Sequence, residues 1–487
     1  MLKSIKEKVR PLLLNGETLL IPLASLDRVA FNAANHRNDE KLLSYAASAR
    51  AAAGGCFMND YVDKPGSKTK VFEPSTLVAS NTPRRDLTDT ETPIDMSRLR
   101  AYRLARVREQ LVKHDYSACV LYDPINIRYA TGARNMSIWT LHNEARYCFI
   151  PAQGPVVLFD FHNSSHLSTT LETIDEVRPT TVWFYFSSGP ECEPRAGKWA
   201  AEIADLVRAH GGGNHRLAVD HCNPFGYEAL KRQGIEVCDG QGPMELARVI
   251  KSEDEINCMN IAISVCEAGM ARMREALAPG KTEIELWAIL NNTNNEMGGE
   301  WIETRLLTSG GRTNPWFQEC SERIIRAGEL MSFDTDLIGP FGYCADISRT
   351  YFCGPGRPSA TQRTLYGLAV EQIQHDMSVL KAGMSFREFS ERAWRVPDKY
   401  VANRYGSVAH GVGMCDEYPK SVFIDVFEEK GYDGVYEPGM TICLESYMGE
   451  DGGAEGVKLE QQVLITENGI ELLSTFPYEE ALLLREI

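Results

Sequence analysis

From residue 96 onward, hydrophobic and polar positions alternate in blocks that predict an α/β segment. SRLRAYRLARVREQLV reads as a basic amphipathic helix, ACVLYD as a strand and DPIN as a turn. VVLFDF, TVWFYF and RLAVD also have strand composition, and helical stretches such as KWAAEIADLVRAH separate them. The Gly211-Gly212-Gly213 triplet follows a helical stretch and precedes a strand, the reverse of a phosphate loop, so it reads as a turn. This segment ends near residue 245. Ser252 and Glu255 then form a capping box. They open a long helix whose apolar face runs Ile256, Met259, Ile263, Cys266, Met270, Met273 and Leu277 until Pro279-Gly280 stops it. Its methionines are core filling. A second helix, IELWAILNNTNNEM, leads into a strand-rich C-terminal half with two further helices.

Upstream the pattern is different. Residues 1–57 have a Leu-rich start and an Ala-rich stretch, SYAASARAAAGG, expected to be helical. Residues 58–95 turn polar, and Pro65, Pro74, Pro83 and Pro93 break any long helix. The expected organisation is an N-terminal extension without an assigned role (1–57), an extended arm or linker (58–95), an α/β domain (96–245) and a C-terminal domain (246–487).

Composition narrows the class. With 43% hydrophobic and 24% charged residues, the 487-residue chain is globular in type. Fifty-one basic against 67 acidic residues give a net charge of −16, which argues against nucleic acid as a partner. No run approaches the roughly 20 apolar residues that cross a bilayer, so no membrane is expected. The 13 cysteines form no CxxC pair, and several, such as Cys119 and Cys443, lie in apolar runs where a thiol acts as a small hydrophobe. A reducing compartment follows. The basic start MLKSIKEKVRPLLL lacks the apolar core of a secretory signal, and cytoplasm is expected.

The chemistry concentrates between Leu330 and Glu460. In LMSFDTDLIG, apolar Met331, Phe333 and Leu337 alternate with Ser332, Asp334 and Asp336. On one strand the two carboxylates share a face. Gly339-Pro340 turns the chain, and YCADISRTYF returns with Asp346. Carboxylates converging in apolar surroundings require a cation between them, whereas a solvated polar face would not be flanked by bulky apolar residues. Beyond residue 250 the histidines are His375, in a charged helical stretch and read as a surface residue, and His410. Glycines beside His410 permit close backbone approach. MTICLESYM and GVKLEQQVLIT add Glu445 and Glu460. Five carboxylates and one imidazole suit a pair of divalent transition ions.

In that order, D-I-S-R-T, H-G-V-G, P-G-M-T-I-C-L-E and K-L-E resemble the pita-bread superfamily of creatinases, prolidases and methionine or Xaa-Pro aminopeptidases, over residues 250–487. YDPINIRYATG resembles the N-terminal domain of the creatinase and prolidase branch. The resemblance implies an α+β architecture, a pita-bread metalloenzyme domain preceded by a smaller creatinase-type α/β domain. It also implies a two-metal centre held by Asp334, Asp346, His410, Glu445 and Glu460. Neither Asp334 nor Asp336 stands at the usual peptidase spacing from Asp346, so either fits the first ligand position and both are candidates to bind.

Two positions depart from the peptidases. Where those carry a histidine after S-G-x-x-x-N, this chain has Trp316, and where they carry H-E-x-P it has Asp416, Glu417 and Pro419. Losing both imidazoles forfeits proton transfer worth about 10²–10⁴-fold each. The longer runs GGEWIETRLLTSGGRTNPWFQEC, SFDTDLIG, HGVGMCDEYP and DPINIRYATGARNMSIWTLHN resemble, from about residue 60 to the end, the metal-dependent dimethylsulfoniopropionate lyases of the DddP type. That resemblance implies Asp336 as a further ligand, Asp416 as catalytic base, Tyr405 in the substrate pocket, a homodimer, and iron in preference to manganese, zinc or cobalt. Gln461 departs from it, since those lyases tend to have Asp after the ligand glutamate. The implied reaction is β-elimination to dimethyl sulfide and acrylate. Trp316, Phe317 and Tyr405 are the aromatic faces expected to take the sulfonium, by cation–π attraction of about 0.5–2 kcal/mol. The rival readings are a dinuclear Xaa-Pro dipeptidase or aminopeptidase, a creatinase-like C–N hydrolase, and a binding module without activity.

Overall fold

The structure, a computed structural model, describes residues 9–14, 17–22 and 94–483. β1 (Val9–Leu14) and β2 (Glu17–Pro22) pair antiparallel. The helix expected in SYAASARAAAGG and nearly all of the expected arm lie outside the described residues.

α1 (Met96–Lys113) begins where the Asp95 carboxylate accepts from the backbone N–H of Ser97 and Arg98. β3 (Ala118–Leu121) follows, as its apolar run predicts. DPIN, however, is not a turn: Asp123 caps α2 (Pro124–Thr131), and Pro124 supplies the fixed φ that suits a first helical position. β4 (Tyr147–Pro151), β5 (Val157–Asp160), β6 (Glu176–Pro179), α3 (Cys192–His210), β7 (Arg216–Val219), α4 (Pro224–Arg232) and β8 (Glu236–Asp239) complete a mixed sheet in the order β6-β5-β4-β3-β7-β8. The strand expected in TVWFYF does not form. β6 takes the edge of β5, leaving TVWFYF no partner. Tyr185 and Phe186 are exposed in a helical turn, while Trp183 is buried against Trp199. α5 (Gln241–Arg248) leads out of this layer.

The capping box of Ser252 and Glu255 opens α6 (Glu253–Ala276), whose Met259, Met270 and Met273 are buried in the core; α7 (Glu283–Glu296) packs against it. The strands that follow are β9 (Trp301–Ile302), β10 (Leu307–Ser309), β11 (Leu330–Phe333), β12 (Leu337–Ile338), β13 (Cys344–Ala345) and β14 (Arg349–Phe352). After α8 (Ala360–Val379) come β15 (Ala409–Val412), β16 (Asp416–Ser421), β17 (Thr441–Gly449), β18 (Gly456–Thr466) and β19 (Gly469–Leu472). They form sheets β10-β11-β14, β13-β12-β9 and β16-β15-β17-β18-β19, with α8 laid on β17 and β18. This is the α+β architecture expected. One element differs. LMSFDTDLIG is two strands belonging to different sheets, and the chain crosses between them at residues 334–336, with Asp336 in the left-handed region at φ 35°. The carboxylates of Asp334 and Asp336 meet through this crossing rather than through strand alternation.

Among the described residues no helix is long and apolar enough to cross a membrane, and the cysteines are unpaired.

Candidate active site

Three adjacent strands bring the central donors together. Glu445 on β17 stands directly opposite Glu460 on β18, and His410 on β15 pairs with Cys443 of β17. Asp346 follows β13, and its backbone N–H donates to Gln462 Oε1. His410 Nε2 lies 3.6 Å from Asp346, 3.4 Å from Glu445 and 3.5 Å from Glu460. Ligand-capable atoms form three close groups: Asp346, His410, Cys443 and Glu460; Asp334, Asp336 and Asp346; and Asp334, Glu445 and Glu460. The six residues expected as ligands are thus neighbours. Cys443, read as core filling, joins them; strand alternation places it on the face of Glu445, two residues on. His375 lies on α8, bonded to the Arg392 carbonyl.

The donor set fits divalent cations. His410 Nδ1 lies 3.0 Å from the Gly411 carbonyl, which can only accept, so Nδ1 carries a proton and Nε2 is the nitrogen that faces the acids. Burial, then repulsion from neighbouring carboxylates, pushes Asp336 and Asp346 well above the usual carboxylate range. Asp346 Oδ1 and Glu460 Oε1 are buried without a hydrogen-bond partner. Unpaired buried oxygens of this kind are costly until a cation meets them.

Lys458 escaped the sequence reading. It is fully buried, two residues before Glu460 on the same face, with Nζ 2.5 Å from Glu445 Oε2, 3.2 Å from Asp334 Oδ2 and 2.6 Å from Ser348 Oγ. Burial disfavours its charge, yet Asp334, Glu445 and Glu460 outweigh that and hold its pKa above the ordinary value. Ser348 in turn donates to Asp334 at 2.6 Å. Gln461 points away from the cluster and accepts from Arg349.

A cavity of about 510 Å³ opens onto this cluster, walled by Phe317, Tyr405, His410, Asp416, Tyr418 and Tyr432. Asp416 begins β16, with Oδ1 3.9 Å from His410 Nδ1. Half its side chain faces the cavity, but the crowded wall desolvates the carboxyl. That effect, with Glu460, Asp334 and Glu445 opposing the pull of His410, raises its pKa to about 6. A register shift between His410 and Gly411 aims β16. Next to Asp416, the buried Glu417 carboxylate accepts from Arg248 Nε at 2.9 Å and from Lys251. Gly413 is required there, because a Cβ would overlap that carboxylate. Phe317 is exposed and stacks on Tyr405, ring centres 5.5 Å apart. Trp316 is buried against Tyr447 and does not wall the cavity; Lys458 Nζ lies 4.6 Å from the Tyr405 ring centre and 5.9 Å from that of Trp316.

Comparison with known proteins identifies the family. Residues 257–467 match metallopeptidase family M24, and residues 103–250 match the creatinase/prolidase N-terminal domain. Among solved structures, the fold is similar to an Xaa-Pro dipeptidase from Bacillus anthracis (TM-score 0.64, 22% identity, 78% of this chain and 99% of that one). It is likewise similar to a prolidase from Pyrococcus horikoshii (TM-score 0.62, 21% identity, 77% and 99%). At such identities the likeness concerns the fold. In sequence, the chain is 44% identical over 394 residues to dimethylsulfoniopropionate lyase DddP of Roseovarius nubinhibens, covering 80% of this chain and 88% of that protein. It is 41% identical over 394 residues, with the same coverage, to the lyase of that name from Roseobacter denitrificans. With a creatinase/prolidase N-terminal domain ahead of an M24 domain, the chain belongs to the family of the dimethylsulfoniopropionate lyases DddP.

Proposed function

We propose that this protein is a metal-dependent carbon–sulfur lyase that cleaves dimethylsulfoniopropionate by β-elimination, with Asp416 as the base. The observation that carries the reading is the carboxylate of Asp416 on the cavity wall beside the acid cluster, at the position where the related peptidases carry a histidine. Asp334, Asp336, Asp346, His410, Glu445 and Glu460 would hold two divalent ions; the five-oxygen, one-nitrogen set suits iron, manganese, zinc or cobalt, and the family resemblance favours iron. Bound there, the ions supply Lewis-acid stabilisation of negative charge developing on the substrate carboxylate.

The chain's own residues do the rest. Asp416 removes the proton from the carbon next to the carboxylate. The freed electron pair becomes the carbon–carbon double bond, the bond to sulfur breaks, and sulfur leaves as neutral dimethyl sulfide with acrylate as the other product. Desolvation by the crowded cavity wall raises the pKa of the Asp416 carboxyl above that of an ordinary carboxylate, which makes it the stronger base. Phe317 and Tyr405 offer aromatic surface to the sulfonium, whereas Trp316, buried against Tyr447, does not reach it. Unpaired cysteines support a reducing, cytoplasmic setting for the enzyme, and the family resemblance supports a homodimer.

Headspace measurement of dimethyl sulfide from the metal-loaded protein and its Asp416→Asn variant tests the reading, with an Xaa-Pro dipeptide as the control substrate. The expected result is equimolar dimethyl sulfide and acrylate, no dipeptide cleavage, and a variant that retains metal but loses about 10²–10⁴-fold in turnover. Turnover undiminished in Asp416→Asn removes the base; dipeptide cleavage without dimethyl sulfide removes the lyase.

A further inference from the structure

A second hollow, of about 220 Å³, lies away from the acid cluster, between α1, α2 and the turn joining β12 to β13. Four guanidinium groups line it: Arg100, Arg103, Arg128 and Arg134, with Leu99 and Phe341 among the apolar wall. Two carboxylates answer them. Glu300 takes both Arg128, through bonds of 2.7 and 2.8 Å, and Arg134, at 2.8 Å. Glu172 takes Arg100 at 2.8 Å. Arg103 is different. It is 2% exposed and forms no salt bridge among the described residues. Its Nη1 and Nη2 make long bonds of 3.3 Å to the Tyr343 hydroxyl and the Arg128 carbonyl, and Nε has no partner. The Tyr343 hydroxyl donates on to Glu255 at 2.9 Å, Glu255 acts on Arg103 only through space, and the Tyr129 ring centre lies 5.6 Å from the guanidinium carbon.

A buried guanidinium held by two long hydrogen bonds, with no carboxylate in direct contact, keeps donor capacity that an anion beside it would use. The hollow holds about seven waters' worth of volume at roughly 30 Å³ each, enough for a three- or four-carbon acid. We propose that this hollow binds a short-chain monocarboxylate, its carboxylate on Arg103 and its stem against Leu99 and Phe341. The apolar wall favours a monocarboxylate over inorganic phosphate, which has no stem to bury. Arg128 packs against Gly342, where a Cβ would overlap its guanidinium, so the occupied hollow braces the β12–β13 turn between Asp336 and Asp346. The acid released in the reaction proposed above belongs to this class, but the binding argument does not depend on that reaction.

Calorimetric titration of the full-length, metal-loaded protein with sodium propionate at fixed ionic strength tests the site. Arg103→Met should weaken binding at least tenfold, and His410→Ala, which disturbs the acid cluster, should leave this binding in place. Leu171→Trp, filling the hollow from another wall, should abolish it and serves if Arg103→Met does not fold. Equal affinity in the wild type and in whichever of these two hollow variants folds, binding lost with His410→Ala alone, or tighter binding of inorganic phosphate than of propionate would each overturn the proposal.

Discussion

Arg248, the last residue of α5, places its Nε 2.9 Å from Oε2 of Glu417, the residue that follows Asp416 at the start of β16. The segment joining the two domains therefore grips the strand that carries the proposed base. Arg248→Met leaves Glu417 with Lys251 alone; losing one partner of a buried pair costs about 3–5 kcal/mol. Misplacement by about 1 Å can reduce a rate about 10²-fold. The expected variant keeps its metal and KM but loses kcat on that scale, with partial recovery in Arg248→Lys. An unchanged kcat would show that Glu417 holds the strand without this contact.

Lys458 is a cation the chain itself supplies to the acid cluster. Lys458→Met leaves Asp334, Glu445 and Glu460 without it, at a cost of about 3–5 kcal/mol in protein stripped of metal. Metal ions should restore more stability to the variant than to the wild type. Thermal unfolding with and without chelator checks this; an equal metal-induced rise in melting temperature in both proteins would refute it.

The acid cluster was legible because MTICLESYM and GVKLEQQVLIT each carry an acid among apolar residues and because the motifs around them resemble a metalloenzyme superfamily. Strand alternation puts Cys443 beside Glu445 and Lys458 beside Glu460, yet composition made the first look like packing and the second like part of a motif. Asp334 and Asp336 were found for a reason the structure does not share. An unbroken strand was expected, whereas the chain changes sheets there, and only pairing with β10 and β14 on one side and β9 and β13 on the other decides that. The Arg248–Glu417 contact spans 169 positions and leaves no local pattern. TVWFYF failed for the complementary reason: strand composition cannot form a strand once the neighbouring edge is taken.

Asp376 on α8 is buried, accepts the Trp394 N–H at 2.7 Å through Oδ1, and has no partner at Oδ2. Burial raises its pKa to about 7, against about 3.9 in an unfolded chain. Between those values the folded protein binds the proton and the unfolded chain does not, so this group's contribution to stability falls as pH rises from 4 to 7 and stays low above. Asp376→Asn keeps the acceptor and removes the titration. At pH 8 it should be more stable than the wild type by on the order of 2–4 kcal/mol, with little difference at pH 4. Melting curves at the two pH values decide, and a difference independent of pH would exclude the titration.

Arg349 is fully buried, with hydrogen bonds to the carbonyls of Ser348, Glu460 and Phe476 and to Gln461, but with no carboxylate among them. Gln461→Asp gives this guanidinium a charged partner. A charge-assisted bond in place of a neutral one should add about 1–2 kcal/mol and raise the denaturation midpoint without changing metal content. A lowered midpoint would mean that the shorter side chain does not reach.

Phe317 separates two ways of recognising the substrate's cation. The Tyr405 face already has Lys458 Nζ 4.6 Å from its centre, whereas Phe317 is 65% exposed in the cavity wall. The proposed sulfonium contact should therefore fall mainly on Phe317. Phe317→Ala loses the attraction of about 0.5–2 kcal/mol, which corresponds to a rise in KM of about two- to thirty-fold with kcat nearly unchanged. Phe317→Leu keeps apolar bulk but removes the ring's negative face, so it should resemble the alanine variant, while Phe317→Tyr should resemble the wild type. If Phe317→Leu binds substrate normally, apolar contact alone holds the methyl groups and the cation–π assignment fails; if all three bind normally, the sulfonium rests elsewhere in the cavity.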